Sequence, residues 1–318
     1  MPDTLIVRGT TRLPPLGAPV VATIGNFDGV HLGHQRLLGR VRGIKGCWAA
    51  EGSSPSAVAI SFHPHPSVVL GRAKKMPLIS SLRQRLAILS SFEIDIFYML
   101  HFTKQFARVR AADFVERVLF GELNVQHLVV GPDATVGYRR EGDVHFLARA
   151  FAAAGRSFET IPPLMIEDLR VSSEHIRSLL REGRVEEAAR LLGRSFVLDS
   201  LVIQGDRRGS SLGFPTANLK RNEQLLPADG VYVTRTLLCG VQYGSVTSVG
   251  RRPTFEGMDR RVETHLLGYG GGDFYNERIE VEFLTRLRDE LKFSGVDELR
   301  RQIEKDIEDA RKILNGPR

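Results

Sequence analysis

Two kinds of periodicity share this chain, and the switch between them constrains its fold more than any other feature. Over the first half, short β-branched runs at 20–24, 58–62, 94–100 and 127–130 alternate with other stretches. Those stretches, at 35–41, 82–90, 111–119 and 144–154, repeat their apolar residues at helical spacing. Strand–helix alternation predicts an α/β domain with a mainly parallel sheet and helices on both faces. Two further helical stretches, 173–182 and 185–192, are separated by Gly183, and after them the texture changes. Segments 196–202, 230–238, 241–249, 262–267 and 278–283 alternate as half-buried antiparallel strands do, with Gly- and Pro-bearing turns between them. Only 296–314 is helical beyond that point. The expectation is an α/β domain over 1–183 and a small antiparallel β-barrel with a terminal helix over 184–318.

Composition narrows the function classes. No apolar run approaches the roughly 18 residues of a spanning helix. The first 15 residues carry Arg8 and Arg12 without an apolar signal core, so a cytoplasmic protein with no membrane partner is expected. Cys47 and Cys239 are too few for a disulfide framework and have no metal-ligand spacing. The net charge of +7 fits either a nucleic-acid partner or a phosphate-rich small substrate. Basic residues are spread along the chain with no aromatic-interleaved stripe, so no nucleic acid is expected.

Ligands of parallel α/β sheets bind beyond the carboxyl ends of the strands. Residues 24–35 (Ile-Gly-Asn-Phe-Asp-Gly-Val-His-Leu-Gly-His-Gln) fall there, directly after the first strand and opening a helix. Gly25, Gly29 and Gly33 let the backbone turn tightly and approach a ligand. A helix N-terminus offers free N–H groups and partial positive charge to a phosphate. His31 and His34, three apart, can face one side of that turn and donate to charge developing on a phosphate. No Walker A motif with its Lys exists in the chain. The same pair would also suit a metal, though without an obvious third ligand, or could be ordinary polar loop residues.

His31-Leu32-Gly33-His34 resembles the HxGH signature of the nucleotidyltransferase superfamily. The longer run from Gly25 to Gln35 resembles the bacterial bifunctional riboflavin kinase/FAD synthetase family, and Phe62-His63-Pro64-His65-Pro66 resembles that family's flavin-side loop. The resemblance implies a Rossmann-like nucleotidyltransferase domain that moves AMP from ATP to FMN and releases pyrophosphate. His31 and His34 would then stabilise the α-phosphate. Gly25, Asn26, Phe27, Gly33, Asp133, Ser172, Ser173 and Arg177 would hold nucleotide, and Phe62 and Pro64 would hold flavin. Two departures bear on this half. Gly131-Pro132-Asp133-Ala134-Thr135-Val136-Gly137 lacks the two aromatics usual in the family, and Glu174 stands where the family has Thr. A carboxylate facing the triphosphate at about 4 Å would oppose it by roughly 1–4 kcal/mol.

In the second half, residues 205–219 form a Gly-rich loop that ends in a Pro turn. Read from chemistry alone, this is either a hairpin or a phosphate and metal site. Thr216 and Asn218, two apart, share a face when extended and offer hard oxygens that suit Mg²⁺. Gly-Phe-Pro-Thr-Ala-Asn-Leu at 213–219 resembles the riboflavin kinase signature, and blocks at 226–232, 249–255, 262–266 and 287–293 follow in family order. The resemblance implies a riboflavin-kinase-like barrel. In it Thr216 and Asn218 hold Mg²⁺, Glu263 is the catalytic base, Gly205, Gly213 and Pro215 meet the nucleotide, and Arg288 meets the flavin. Departures are Ser210 after Gly209, where Arg is usual and Arg207 or Arg208 would have to substitute, and Asn276 in place of Gly. A Gly-rich run over 268–272, read as a mobile flavin cover, is also unusual. The expected substrates are riboflavin, FMN and ATP, with FMN and FAD as products, in a monomer or weak homo-oligomer. The alternatives are a riboflavin kinase with an impaired adenylyltransferase domain, and a flavin-responsive nucleic-acid-binding regulator.

Overall fold

The computed structural model describes residues 4–9, 18–204, 213–254, 257–270 and 274–316. The chain forms two compact units. One comprises Met1–Pro77 with Leu82–Ser172, the other Leu78–Ser81 with Ser173–Arg318. The sequence reading instead ends the first domain at Gly183 and leaves 78–81 inside it.

The first unit runs β1 (Leu5–Arg8), β2 (Val20–Ile24), α1 (Leu32–Ala50), β3 (Ser56–His63), α2 (Pro66–Val69), α3 (Leu82–Ser91) and β4 (Ile96–His101). It continues with α4 (Ala111–Asp113), β5 (Val125–Val130), α5 (Val144–Ala153) and β6 (Ser157–Thr160). The six strands pair in parallel in the order β1-β4-β3-β2-β5-β6. Val- and Ala-rich strands suit a sheet buried on both faces. Val20, Ala22, Val58 and Ile60 meet Phe114, Leu119, Leu147 and Phe151 on one face. Val21, Ala57, Ala59 and Phe97 meet Leu38, Val41 and Leu89 on the other. Strand order reverses between β2 and β5, so the crevice at their carboxyl ends is the ligand position of such a sheet.

Three features of this unit departed from the reading of sequence. Edge strands β1 and β6 are four residues each, too short to carry a periodicity. Helix α4 passes into a π-helical stretch at Phe114–Glu122, whose wider turn brings Phe114, Val115 and Leu119 into the core. A two-stranded hairpin, β7 (Met165–Ile166) with β8 (Leu169–Arg170), turns through Glu167 and Asp168 at φ +49° and +61°.

The second unit begins with α6 (Ser173–Arg181) and α7 (Val185–Leu192), which ends on left-handed Gly193. Strands β9 (Phe196–Ile203), β10 (Ala217–Leu219), β11 (Gly230–Leu238), β12 (Val241–Thr254), β13 (Gly257–Leu266) and β14 (Arg278–Arg288) close a barrel in the order β10-β13-β12-β11-β14-β9. Helix α8 (Val296–Asn315) completes the chain. Inside the barrel, Thr234, Thr247, Thr264 and Ser245 are fully buried, and their hydroxyls bond one another at 2.7–2.8 Å. That mutual pairing is what lets polar residues fill an interior. Val262, Thr264 and Leu266 face inward, so the strand period sends Glu263 and His265 to the outer face. Leu78–Ser81 is stitched into this unit: Leu78 N–H donates to Glu223 O at 2.9 Å, and Ser81 Oγ donates to the buried Asp199 carboxylate at 2.8 Å.

Candidate functional site

At the mouth of α1, His31 is the extended N-cap residue, and its Nδ1 accepts the His34 backbone N–H at 3.3 Å. This folds the His31 ring back over the first turn, where it stacks on His34 with centroids 3.8 Å apart and planes 16° apart. A Cβ on Gly33 would lie 3.2 Å from the His31 ring and would press it out of this position. His34 also meets the Phe27 ring at 5.2 Å, and its Nδ1 is buried without a hydrogen-bond partner. Burial, and secondarily the neighbouring His31 charge, hold His34 well below the usual imidazole range. The loop feeding this helix is contorted: Phe27, Gly29 and Val30 have φ of +49°, +78° and +38°. Phe27 is fully buried in the core, so only its backbone is available to a ligand.

Beside the loop opens a cavity of about 470 Å³. Gly25 and Asn26 border it, and Phe62, Phe102 and Phe106 form an aromatic wall with ring centroids 5.7–6.3 Å apart. Asp133 lines it too, with its carboxylate paired to Arg170. The two aromatic-to-aliphatic departures, Ala134 and Val136, lie on this same cavity wall. Pro64 is not among the lining residues; its neighbour His65 is, and His65 Nε2 lies 2.9 Å from Asn26 Nδ2. Phe102 and Phe106 escaped the sequence reading, although a pair of Phe in a polar connector after a strand was an available signal. Arg72, Arg139 and Arg140 on the same cavity were also missed.

Ser172 closes the first unit, whereas Ser173 and Arg177 belong to α6 of the second. Glu174 is held by Arg177 Nη1 at 3.1 Å and Arg181 Nη1 at 3.0 Å. Burial pushes its carboxyl up, but the two guanidiniums outweigh that and leave it below the usual range. Its charge is thus paired, and its side chain is 67% exposed.

On the barrel, Thr216 Oγ1 lies 3.5 Å from Glu263 Oε2. Asn218 stands directly opposite Glu263 in the β10–β13 register, which puts both on one face. His265 Nδ1 meets Pro215 O at 2.8 Å and its ring sits edge-on to Phe214, fixing the Pro turn. Thr216 and Glu263 line a cavity of about 340 Å³ that Leu299, Ile303 and Ile307 of α8 also line. Arg288 lines it as well, with Nε and Nη2 on the buried Asp306 carboxylate at 2.9 and 2.6 Å. That bidentate pair ties β14 to α8. Glu290, another lining residue that sequence reading missed, is pushed up by burial and by nearby Asp229. Gly213 has φ +87°, and Asn276 has φ +65°, a left-handed position that Asn tolerates best after Gly. Gly205, Arg207, Arg208, Gly209 and Ser210 lie outside the described residues, as do Gly271 and Gly272 of the glycine run. Among the described residues no group of three or more His, Cys, Asp or Glu side chains could hold a metal ion.

Comparisons with known proteins agree with this division. The FAD synthetase family matches residues 15–175 and the riboflavin kinase family residues 192–314. A bifunctional riboflavin kinase/FMN adenylyltransferase of Bacillus subtilis is 35% identical over 95% of this chain and 94% of its own. Its Pseudomonas fluorescens counterpart is 36% identical over 97% of each. A crystal structure from Streptococcus pneumoniae, described as a macrolide-efflux protein, is 29% identical with a TM-score of 0.87, covering 99% of this chain and 100% of that one. No helix among the described residues is long and apolar enough to cross a membrane. Matched by both family profiles in order and by full-length relatives above 30% identity, the chain belongs to the bifunctional riboflavin kinase/FMN adenylyltransferase family.

Proposed function

We propose that the second unit phosphorylates riboflavin to FMN with ATP and that the first adenylylates FMN to FAD with a second ATP. The carrying observation is that Thr216 and Glu263 line one cavity, and that Gly25 and Asn26 of the loop leading to His31 and His34 border another, each within the range of small-molecule sites, about 300–1,000 Å³.

In the kinase, the ribityl hydroxyl oxygen bonds to the γ-phosphorus as the bond to the β-phosphate oxygen breaks and ADP leaves. Glu263 accepts the hydroxyl proton. Thr216, 3.5 Å from Glu263, and Asn218, opposite it in the strand register, are the residues that would hold Mg²⁺, which would neutralise nucleotide phosphate charge. Gly213 and Pro215 serve the nucleotide side, and Arg288 shapes the flavin cavity through its clamp on α8.

In the adenylyltransferase, an FMN phosphate oxygen attacks the α-phosphorus and pyrophosphate departs. His31 and His34 donate to the charge that builds there, together with the free N–H groups of α1. Gly25, Asn26, Gly33, the Phe27 backbone, Asp133 and Ser172 serve the nucleotide. Phe62 and the Pro64 turn serve the flavin, with His65, Phe102 and Phe106 added by the geometry. The pairing of Glu174 offsets the repulsion its carboxylate would bring, while the aliphatic Ala134 and Val136 stay on the cavity wall as the other departure. Chromatography of products from riboflavin, ATP and Mg²⁺ tests the whole reading. FMN plus FAD is expected; FMN alone would refute the adenylyltransferase half, neither product would refute the kinase half, and a parallel reaction supplied with FMN that yields no FAD would refute the other.

A further inference from the structure

The cavity of the first unit carries a cationic rim without compensation. Arg72, Arg139 and Arg140 all line it, and none has a carboxylate partner among the described residues. Arg140 Nε donates only to the neutral Thr135 hydroxyl at 2.9 Å, and the Arg139 guanidinium stands 5.1 Å from the Tyr138 ring centroid. The nearby carboxylates are engaged elsewhere. Asp133 pairs with Arg170, and Glu141 accepts from Arg110 Nε at 2.7 Å and from Ala111 N–H at 2.8 Å.

The backbone that presents two of these arginines is unusual. Arg139 and Arg140 are successive non-glycine residues at φ +53° and +63°, a conformation that side-chain-bearing residues rarely adopt. Gly137 just before them has φ +79°, and a Cβ there would come within 2.4 Å of the Ala111 backbone nitrogen. The loop is therefore seated against α4, and its strain persists at a ligand cavity, where such strain concentrates.

On the adenylyltransferase reading, the aromatic wall of Phe62, Phe102 and Phe106 faces the ring system that riboflavin and FMN share, and apolar rings of this kind do not distinguish the two. They differ by a phosphate, which carries about −1.5 to −2 charge near neutral pH. We propose that Arg72, Arg139 and Arg140 anchor the flavin 5′-phosphate and make the first unit select FMN over riboflavin, an inference resting on the adenylyltransferase reading. A guanidinium fork takes two phosphate oxygens and leaves a third free to attack. Gly25 and Asn26, on the same cavity, lead from there to the helix mouth.

The test uses the full-length protein and FAD formation from FMN and ATP. In Arg139→Gln/Arg140→Gln and in Arg72→Gln, KM for FMN should rise about tenfold or more while kcat changes less than about threefold. KM for FMN in the wild type should climb with added NaCl, and more steeply than in the double variant. Arg140→Lys, which keeps the charge and loses the fork, should shift KM less than Arg140→Gln. If the Gln variants unfold, that Lys variant and the salt response of the wild type decide the matter. A KM for FMN within about twofold of wild type, or a fall in kcat alone, overturns the anchor. Absence of FAD from the wild type overturns instead the adenylyltransferase reading beneath it.

Discussion

His34 has an environment that converts directly into measurable behaviour. Its ring is stacked on His31, its Nδ1 has no hydrogen-bond partner, and its pKa lies well below the usual 6.5. Because the folded value is depressed, the unfolded chain takes up this proton first as the pH falls. The stabilising contribution is complete above about 6.5 and is lost as the pH drops from there through the folded value. Thermal unfolding followed from about pH 7.5 to 5.5 should show a decline that is shallower in His34→Gln. His34→Ala should lower kcat for FAD formation about 10²- to 10³-fold with riboflavin phosphorylation unchanged. In the other unit, Glu263→Gln should lower kinase turnover by about 10²-fold or more and spare FAD formation from FMN. Near-normal kinase turnover in that variant would take Glu263 out of the role of base. The candidates His31, His34, Thr216 and Asn218 could be picked out in sequence because each sits in a short Gly- or Pro-bearing motif, whereas Glu263 was singled out only by the family resemblance of its strand. Phe102, Phe106 and Glu290 were not, because their value arises from neighbours distant in the chain.

At the scale of elements, glycines mark where backbone approaches too closely for a side chain. Gly137→Ala would place a Cβ against the Ala111 backbone at a φ of +79°. It should destabilise the first unit by about 2 kcal/mol or more, seen as a lower first transition in calorimetry. Gly33→Ala meets the movable His31 ring rather than backbone. It should therefore cost activity before stability: FAD formation down about tenfold or more, melting little changed. Strands and helices with strong periodicity fell where their patterns put them, as β2, β11 and α7 do. The three-residue β10 did not announce itself, because a stretch that short gives no repeat to detect. The helical spacing over 111–119 fell on α4 and its continuation but did not reveal that the turn widens to a π-helix.

Across the whole molecule, the two chemistries stand in separate compact units, so variants at each should be independent. A mixture of His34→Ala and Glu263→Gln proteins should restore conversion of riboflavin to FAD, because FMN made by one is substrate for the other. The second unit also takes in Leu78–Ser81 and α6. A fragment of residues 184–318 would lose the Leu78–Glu223 and Ser81–Asp199 hydrogen bonds and leave the buried Asp199 short of a donor. It should unfold at a lower temperature than the corresponding transition of the full chain.

The order of hydrophobic periods by itself determined the pairing of a parallel α/β layer with an antiparallel barrel, since a strand or helix must bury the face its sequence makes apolar. Local motifs marked residues 24–35 and the Pro turn at 213–219 as candidate sites for a similar reason: backbone freedom at glycine and the fixed φ of proline act within a few residues. Tertiary structure alone decided the aromatic wall, the cationic rim at Arg139 and Arg140, the pairing of Glu174, and the placement of Leu78–Ser81 with the barrel. Each of those depends on side chains brought together from distant parts of the chain, and no local pattern encodes such a meeting.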